Sequence, residues 1–191
     1  MKGARPLSDS ELAAVSAKLA PRDRALFVLG VCSGFRISEL LSLKVGAVES
    51  GGRIAEQVTV QRRDMKGKIE GRTVDLNEKA RAVLAEWLAY RRRRLDIGPA
   101  AWLFPSRNGG RISRVQAWRV LTAAFRALGL AGKLGSHCMR KTFAARMYDR
   151  LGHDLIRVQK AMGHKSVAST TAYLSFAESE VTAAILADWN F

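Results

Sequence analysis

One stretch of the chain has almost no polar face. Pro21 suits the first turn of a helix, and Phe27, Leu29 and Val31 belong to a following run that is apolar on nearly every side. Such a helix must be buried, because none of its sides suits contact with water. The longest apolar run, residues 25–32, is too short to span a bilayer. The stretch therefore predicts a buried helix.

The periodicity of the other apolar residues predicts further helices and a small sheet around this helix. Alternation at 53–63 and 71–76 predicts two strands, joined by a polar, glycine-containing hairpin loop at 64–70. The predicted fold is mainly α with a small antiparallel β-sheet. Core positions are expected at Ala82, Val83, Leu84, Trp87, Leu88, Trp102 and Trp118. Helices are predicted at 11–19 after a cap at Ser8 or Asp9, around Leu40–Leu43, and at 78–94, 113–128, 137–151, 154–162, 166–174 and 178–189.

Charge and cysteine content narrow the function classes. The 191 residues include 32 Lys and Arg against 17 Asp and Glu, a net charge of +15. This balance predicts a polyanionic partner, nucleic acid before membrane. Cys32 and Cys138 have no metal-ligand or redox spacing, which excludes a disulfide scaffold and a zinc finger. Residues 1–10 lack the apolar centre of a signal peptide, so a cytoplasmic protein is expected.

Two short segments place arginine in unusual surroundings. Arg36 begins a largely apolar helix, where burying it is costly unless it meets an anion. Glu39, three residues on, can steady it, although a surface ion pair is the favoured interpretation of this segment alone. His137 and Arg140 are also three apart and share a helical face, which places an imidazole beside a fixed cation. An ordinary solvated helix start explains that pair equally well.

A third segment contains His164, after Gly163, and Tyr173 nine residues later. A single tyrosine in a helical stretch is usually a core residue whose hydroxyl is satisfied. A single histidine is usually structural as well. Neither residue indicates chemistry when it is considered by itself.

Together, the order and intervals of these motifs resemble the tyrosine recombinase (phage integrase) family over about residues 7–189. The family pattern has an Arg in a Gly-[Leu/Phe]-Arg-Ile-x-Glu segment, a hairpin Lys, a His-x-x-Arg, a Gly-His and a Tyr. Each motif is loose, and the ordered set of five is specific. The matching residues are Arg36, a lysine of the 64–70 loop, His137 with Arg140, His164 and Tyr173.

The hairpin lysine is ambiguous. Counting back from residues 74–76 places the family's lysine at about Gly67, between Lys66 and Lys68. Lys66 is preferred because it suits a loop one residue longer. The chain departs from the family pattern at Lys141, where a histidine often follows the arginine, and at Asp75, where proline is usual.

The resemblance implies DNA strand cleavage and rejoining through a 3′-phosphotyrosine intermediate, without a nucleotide cofactor or a metal ion. A phenol with a pKa near 10 needs a proton acceptor or a cationic site, and planar guanidiniums bind phosphate oxygens through paired hydrogen bonds. The implied roles are nucleophile for Tyr173, phosphate binding for Arg36 and Arg140, a further phosphate hydrogen bond for His164, proton transfer for His137, general acid for Lys66, and support of Arg36 by Glu39.

Several further groups are expected to touch DNA or another protomer. The four arginines at 91–94 either follow the DNA backbone or form a solvated helix end, at near even odds. The terminal segment 175–191 either docks on a neighbouring protomer, in a tetramer on DNA, or packs on its own domain. DNA contacts are expected from Arg62, Arg63, Lys68, Lys141 and Lys165, with Arg107, Arg111, Arg114 and Arg119 as further candidates.

The resemblance also bears on domain organisation. Arg36 lies so early that residues 1–191 are expected to be the catalytic domain without the family's N-terminal core-binding domain. The chain is then an excised domain or a minimal recombinase similar to the fimbrial phase-variation recombinases. Its specificity would come from an accessory protein or a multimer, acting at the nucleoid. The alternatives are a type IB topoisomerase-like enzyme, which the Gly-His motif and short tyrosine spacing disfavour, and a non-catalytic DNA-binding relic.

Overall fold

The computed structural model describes residues 4–61, 71–95, 97–171, 173–174 and 186. Within these residues the chain is mostly helical with two small antiparallel sheets, which confirms the predicted fold class. The chain forms two compact units, Met1–Phe143 and Ala144–Phe191. The helices are α1 Asp9–Lys18, α2 Pro21–Ser33, α3 Ile37–Leu41, α4 Glu78–Arg92, α5 Arg114–Ala127, α6 His137–Arg150, α7 Leu155–Met162 and α8 Val167–Thr171, with a 3-10 turn at Val45–Ala47.

The apolar helix α2 is buried, as predicted, and lies at the centre of the first unit. Pro21 occupies its first position, and the helix packs against α1, α3, α4 and α5. Phe27 and Leu29 are each only 1% exposed. Burying a side chain of this size contributes about 1.5–3 kcal/mol. The helix ends at Gly34, whose φ of 61° is a left-handed conformation that glycine adopts without strain.

The helix starts follow the side chains that can cap them. Ser8, rather than Asp9, caps α1: its Oγ accepts a hydrogen bond from the backbone N of Glu11, and the Glu11 carboxylate accepts one from the backbone N of Ser8. Ser113 caps α5 in the same reciprocal manner. This geometry satisfies backbone N–H groups that have no partner inside the helix.

The strands differ from the prediction in one respect. The segment predicted as a single strand at 53–63 divides into β2 Arg53–Ile54, which pairs with β1 Glu49–Ser50, and β3 Gln57–Val60, which pairs antiparallel with β4 Arg72–Asp75. There are therefore two two-stranded sheets among the described residues and not one. Gly51 and Gly52 both have positive φ, so the chain turns back on itself between β1 and β2 and forms the additional hairpin.

Two expected core positions are wrong. Ala82 is exposed, because the buried stripe of α4 runs through Ala80, Leu84 and Leu88 at helical spacing. Trp118 is 47% exposed, because it lies one position beyond Ala117 on a different face of α5. Trp87 is buried as expected, whereas Trp102 and Val83 are only partly buried.

No helix within the described ranges is long and apolar enough to cross a membrane. The helix predicted at 178–189 lies outside the described residues except for Leu186, whose side chain is 78% exposed. The hairpin loop predicted at 64–70 also lies outside them.

Candidate active site

Arg36 lies directly before α3 and is held by Glu39. One carboxylate oxygen of Glu39 accepts a hydrogen bond from Nη1 of Arg36 at 2.9 Å, and the other accepts one from the Arg36 backbone N at 2.7 Å. The Glu39 side chain is 2% exposed, whereas that of Arg36 is 39% exposed. The buried carboxylate therefore anchors a guanidinium that still reaches solvent.

Arg140 lies in the first turns of α6 and is 1% exposed. Its Nη1 donates a hydrogen bond to the backbone carbonyl of Gly34, at the end of α2. A Cβ at position 34 would overlap the ring of Phe143, so only glycine fits there. The close approach of α6 to this turn brings Arg140 to the segment that leads into Arg36.

A third guanidinium joins these two, and sequence reasoning missed it. Arg72 is the first residue of β4, is buried, and donates from Nη2 to the carbonyl of Ser33 at 2.9 Å and from Nη1 to the carbonyl of Gly34 at 3.4 Å. Its guanidinium carbon lies 4.9 Å from the centroid of the Phe35 ring. The inward register of Arg72, two residues before Val74 on the same strand, was the available signal.

The electrostatics of these groups are coupled. Burial, together with the positive charges of Arg140 and Arg36, lowers the pKa of Arg72 to about 10, and the negative charge of Glu39 opposes this shift. We call Arg36, Arg72, Arg140 and Glu39 the arginine cluster. Three guanidiniums against one carboxylate give this cluster an excess of positive charge suited to an anion.

The start of α6 is held by the N-terminal segment. The Arg5 side chain donates to the carbonyl of Ala131 at 2.9 Å, and the Arg5 backbone N donates to the carbonyl of Lys133 at 3.2 Å. The Leu7 backbone N donates to Oγ1 of Thr142 at 2.9 Å. These bonds fix the chain on both sides of His137, which is the first residue of α6 and is exposed.

In the second unit, His164 follows a helix end that fixes its backbone. Gly163 ends α7 with a φ of 61°, and the backbone N of His164 donates to the carbonyl of Gln159 at 3.0 Å. Nδ1 of His164 lies 2.9 Å from Oγ1 of Thr170, which is fully buried in α8. The imidazole is therefore held from both its backbone and its ring.

Tyr173 lies in the turn after α8, beside this histidine. Its backbone N donates to the carbonyl of Thr170 at 2.9 Å. The rings of Tyr173 and His164 have centroids 5.2 Å apart and are inclined by 40°. The second unit thus brings two of the sequence-predicted residues together, just as the first unit brings together Arg36, Glu39 and Arg140.

The remaining sequence-predicted residues fall in three groups. Lys66, the predicted general acid, and Arg62, Arg63 and Lys68, which are predicted DNA contacts, lie outside the described residues. Lys141 is partly buried and Lys165 is exposed. The remaining candidates are exposed arginines on and before α5: Arg107, Arg111, Arg114 and Arg119.

The arginine run at 91–94 is partly structural. Arg91 is buried and donates to the carbonyl of Trp102 at 2.9 Å. Arg92 makes a two-point ion pair with Glu49 at 2.5 and 2.7 Å. Arg94 lies over the Tyr90 ring at 4.1 Å. At least three members of the run are thus engaged with the protein itself.

The chain is similar to a family model and to two named relatives. The model of the phage integrase family matches residues 9–180. Tyrosine recombinase XerD of Corynebacterium glutamicum is 35% identical over 152 residues, which cover 80% of this chain and 47% of that protein. Tyrosine recombinase XerC of Ralstonia pickettii is 35% identical over 162 residues, covering 81% and 49%. The chain therefore spans about half the length of these two relatives.

A shorter relative and two solved structures are also similar to this chain. The probable integrase/recombinase YoeC of Bacillus subtilis is 32% identical over 164 residues, covering 85% of this chain and 82% of that protein. The crystal structure of XerA recombinase superposes with a TM-score of 0.78 at 24% identity, over 99% of this chain and 66% of that one. XerH bound to its palindromic difH substrate, in a post-cleavage complex, gives 0.73 at 26% identity, over 94% and 51%.

Proposed function

Because the chain belongs to the phage integrase family, we propose that it is a site-specific recombinase that cleaves and rejoins DNA strands by transesterification. The observation that supports this most directly is that the ring of Tyr173 lies beside the ring of His164, whose Nδ1 contacts the hydroxyl of the buried Thr170. A phenol held beside an imidazole is suited to act as a nucleophile at phosphorus. The named relatives are recombinases, which favours strand exchange over simple relaxation of supercoils.

In the proposed reaction, the hydroxyl oxygen of Tyr173 attacks the DNA phosphorus and the bond to the 5′ oxygen breaks. The phenolic proton passes to a base, a role assigned to His137. The leaving 5′ oxygen takes a proton from Lys66. The products are a 3′-phosphotyrosine and a free 5′-hydroxyl, and attack by another 5′-hydroxyl restores the phosphodiester. Each step replaces one phosphodiester bond by another, so the cycle requires no nucleotide cofactor.

The arginine cluster has the properties that the transition state needs. Negative charge grows on the non-bridging oxygens as the tyrosine attacks, and paired guanidinium donors stabilise it best when they are already in place. Arg140 is buried and anchored on Gly34, and Arg36 is anchored on Glu39. Both therefore bind a phosphate with little loss of side-chain freedom. With Thr170 donating to Nδ1 of His164, the ring proton lies on Nε2, the nitrogen to which we assign a further phosphate hydrogen bond.

Double-stranded DNA is the proposed partner. A net charge of +15 favours binding to the phosphate backbone, and the XerH relative was solved on DNA. We infer that Lys141 and Lys165, with Arg62, Arg63 and Lys68, contribute to these contacts. We also propose that residues 1–191 act as a catalytic domain, that 175–191 mediate assembly of a tetramer on DNA, and that an accessory protein or the tetramer supplies sequence selection.

A trapping experiment tests the proposal. Wild type, Tyr173→Phe and Tyr148→Phe are incubated with nicked plasmid DNA in EDTA at low salt, and SDS-resistant protein–DNA adducts are counted. Tyr148 is the matched control, since it is another partly buried tyrosine of the second unit. We expect adducts with wild type and Tyr148→Phe and none with Tyr173→Phe. An adduct that survives Tyr173→Phe would show that the nucleophile is a different residue.

A further inference from the structure

Arg72 is buried like a structural residue, but its positive charge lies near Arg36 and Arg140, which are proposed to bind phosphate. It is 8% exposed and lies directly after the segment that contains Lys66. Its guanidinium reaches across to the turn between α2 and α3, where it donates to two successive carbonyls. Such a long-range contact links the second strand of the β3–β4 pair to the segment that leads into Arg36.

The carbonyl of Gly34 is shared. It accepts hydrogen bonds from both Arg72 and Arg140, so two guanidiniums meet at one oxygen. The orientation of this carbonyl depends on the turn at Gly34, which is in the left-handed conformation. Loss of the Arg72 hydrogen bonds to the Ser33 and Gly34 carbonyls removes two contacts that hold this turn, and therefore disturbs the acceptor against which Arg140 is aligned.

Placing like charges together in a partly desolvated site is costly in the absence of a counter-ion. Glu39 supplies one negative charge to the arginine cluster, and that charge already pairs with Arg36. A bound phosphate would add negative charge beside the three guanidiniums. Because Arg72 is 8% exposed and its Nη1 and Nη2 donate to backbone carbonyls, we expect its charge to act on such a phosphate through space and not by contact.

We propose that Arg72 is a positioning residue for phosphate binding and strand cleavage: it holds the carbonyls that align Arg140 and adds positive potential to the arginine cluster. This inference rests on the proposed function. It gives β4 a role in positioning Arg140 that is separate from the general-acid role of Lys66 in the preceding segment. It also predicts that loss of Arg72 impairs the chemical step more than it impairs DNA affinity.

Three substitutions separate the contribution of the Arg72 hydrogen bonds from the contribution of its charge. Arg72→Lys keeps the charge and loses the forked donor geometry, Arg72→Met loses both at similar length, and Arg126→Met removes an exposed arginine of α5 as the control. Single-turnover adduct formation on nicked plasmid DNA at saturating protein measures cleavage. Fluorescence anisotropy on a labelled duplex measures affinity. Circular dichroism and the melting temperature in chloride verify folding.

We expect Arg72→Met to cleave roughly 10- to 100-fold more slowly, less than the loss of a donor that touches the oxyanion, with DNA affinity within about threefold of wild type. Arg72→Lys should recover part of the rate, and Arg126→Met should match wild type. A wild-type rate in a folded Arg72→Met or Arg72→Lys variant would overturn the proposal. So would a loss of affinity as large as the loss of rate, or a complete absence of recovery by lysine.

A second measurement does not depend on cleavage. Inorganic phosphate replaces chloride at constant ionic strength, and the melting temperature is recorded. Wild type and Arg126→Met should be stabilised, Arg140→Ala should not respond, and Arg72→Met should respond less than wild type. If wild type forms no adduct but shows this pattern, the proposed function fails and the assignment of Arg72 to the anion site stands. An equal response in wild type and Arg72→Met would overturn that assignment.

Discussion

The hydroxyl oxygen of Thr170 lies 2.9 Å from Nδ1 of His164. The carbonyl of the same threonine accepts a hydrogen bond from the backbone N of Tyr173. A single buried residue thus orders both the imidazole and the proposed nucleophile. The arrangement explains why a short helix, α8, is enough to set the spacing of the two rings.

Replacing Thr170 by valine should slow cleavage without weakening DNA binding. Valine preserves the shape and the backbone bond to Tyr173 but removes the hydroxyl that holds the His164 ring. A lost hydrogen bond of about 1.4 kcal/mol corresponds to roughly a tenfold lower rate of adduct formation. Thr170→Ser should recover the rate. Thr171→Val is the control, since its hydroxyl donates to the Ala168 carbonyl in the same helix. A wild-type rate in Thr170→Val would contradict this role.

Removing the Glu39 carboxylate should destabilise the first unit. The side chain is 2% exposed and accepts two hydrogen bonds from Arg36. Glu39→Ala leaves those donors without their acceptor, which we expect to cost roughly 1–3 kcal/mol in urea denaturation. Glu86→Ala is a useful comparison, because Glu86 forms a more exposed pair with Arg24 at 3.3 Å and should cost less than about 1 kcal/mol. Equal losses in the two variants would contradict the difference in burial.

The stability contributed by Glu11 should depend on pH. Hydrogen bonds from the Arg5 side chain and the Ser8 backbone lower the pKa of Glu11 from 4.5 to about 2. Because the folded-state pKa lies below that of the unfolded chain, the contribution is complete above about pH 4.5 and is lost as the pH falls toward 2. The difference in unfolding free energy between wild type and Glu11→Gln should shrink over this range. A difference that stays constant with pH would show that the ion pair with Arg5 is not its source.

The Cys138 thiol should be inert in the folded protein. Burial raises its pKa to about 12, so at about pH 8 it remains protonated and a poor nucleophile. In a Cys32→Ser background, iodoacetamide should label the protein slowly in buffer and rapidly in guanidinium chloride. Equal labelling rates would mean that the start of α6 opens freely. Since Cys138 follows His137 directly, this reaction also reports on the order of that segment.

Much of this fold could be predicted from the sequence because its signals are local. The nearly all-round apolar surface of α2 and the cap at Ser8 each depend on residues within a few positions. The family motifs at Arg36, His137 and Tyr173 were recognisable for the same reason, since each is a short pattern at a fixed interval. The positions of their side chains stayed predictions, because they depend on contacts across the chain.

Two positions that the sequence did not predict depend on contacts between distant residues. Arg72 alternates with Val74 on a short strand, which indicates an inward side chain but not its partners, the carbonyls 38 and 39 residues away. Thr170 has the pattern of an ordinary helix residue until the ring of His164 is placed beside it. The error at Trp118 is local, because this residue lies one position beyond the buried Ala117 on α5 and is 47% exposed.

The most direct test of the central claim is to identify the bond between protein and DNA. The adduct is digested with nuclease and protease, and the residue bearing the nucleotide is located by mass spectrometry, while end-labelling determines which DNA end is attached. We predict a nucleotide joined through its 3′ phosphate to Tyr173 and a free 5′-hydroxyl on the other strand end. Attachment at another residue, or through a 5′ phosphate, would contradict the account.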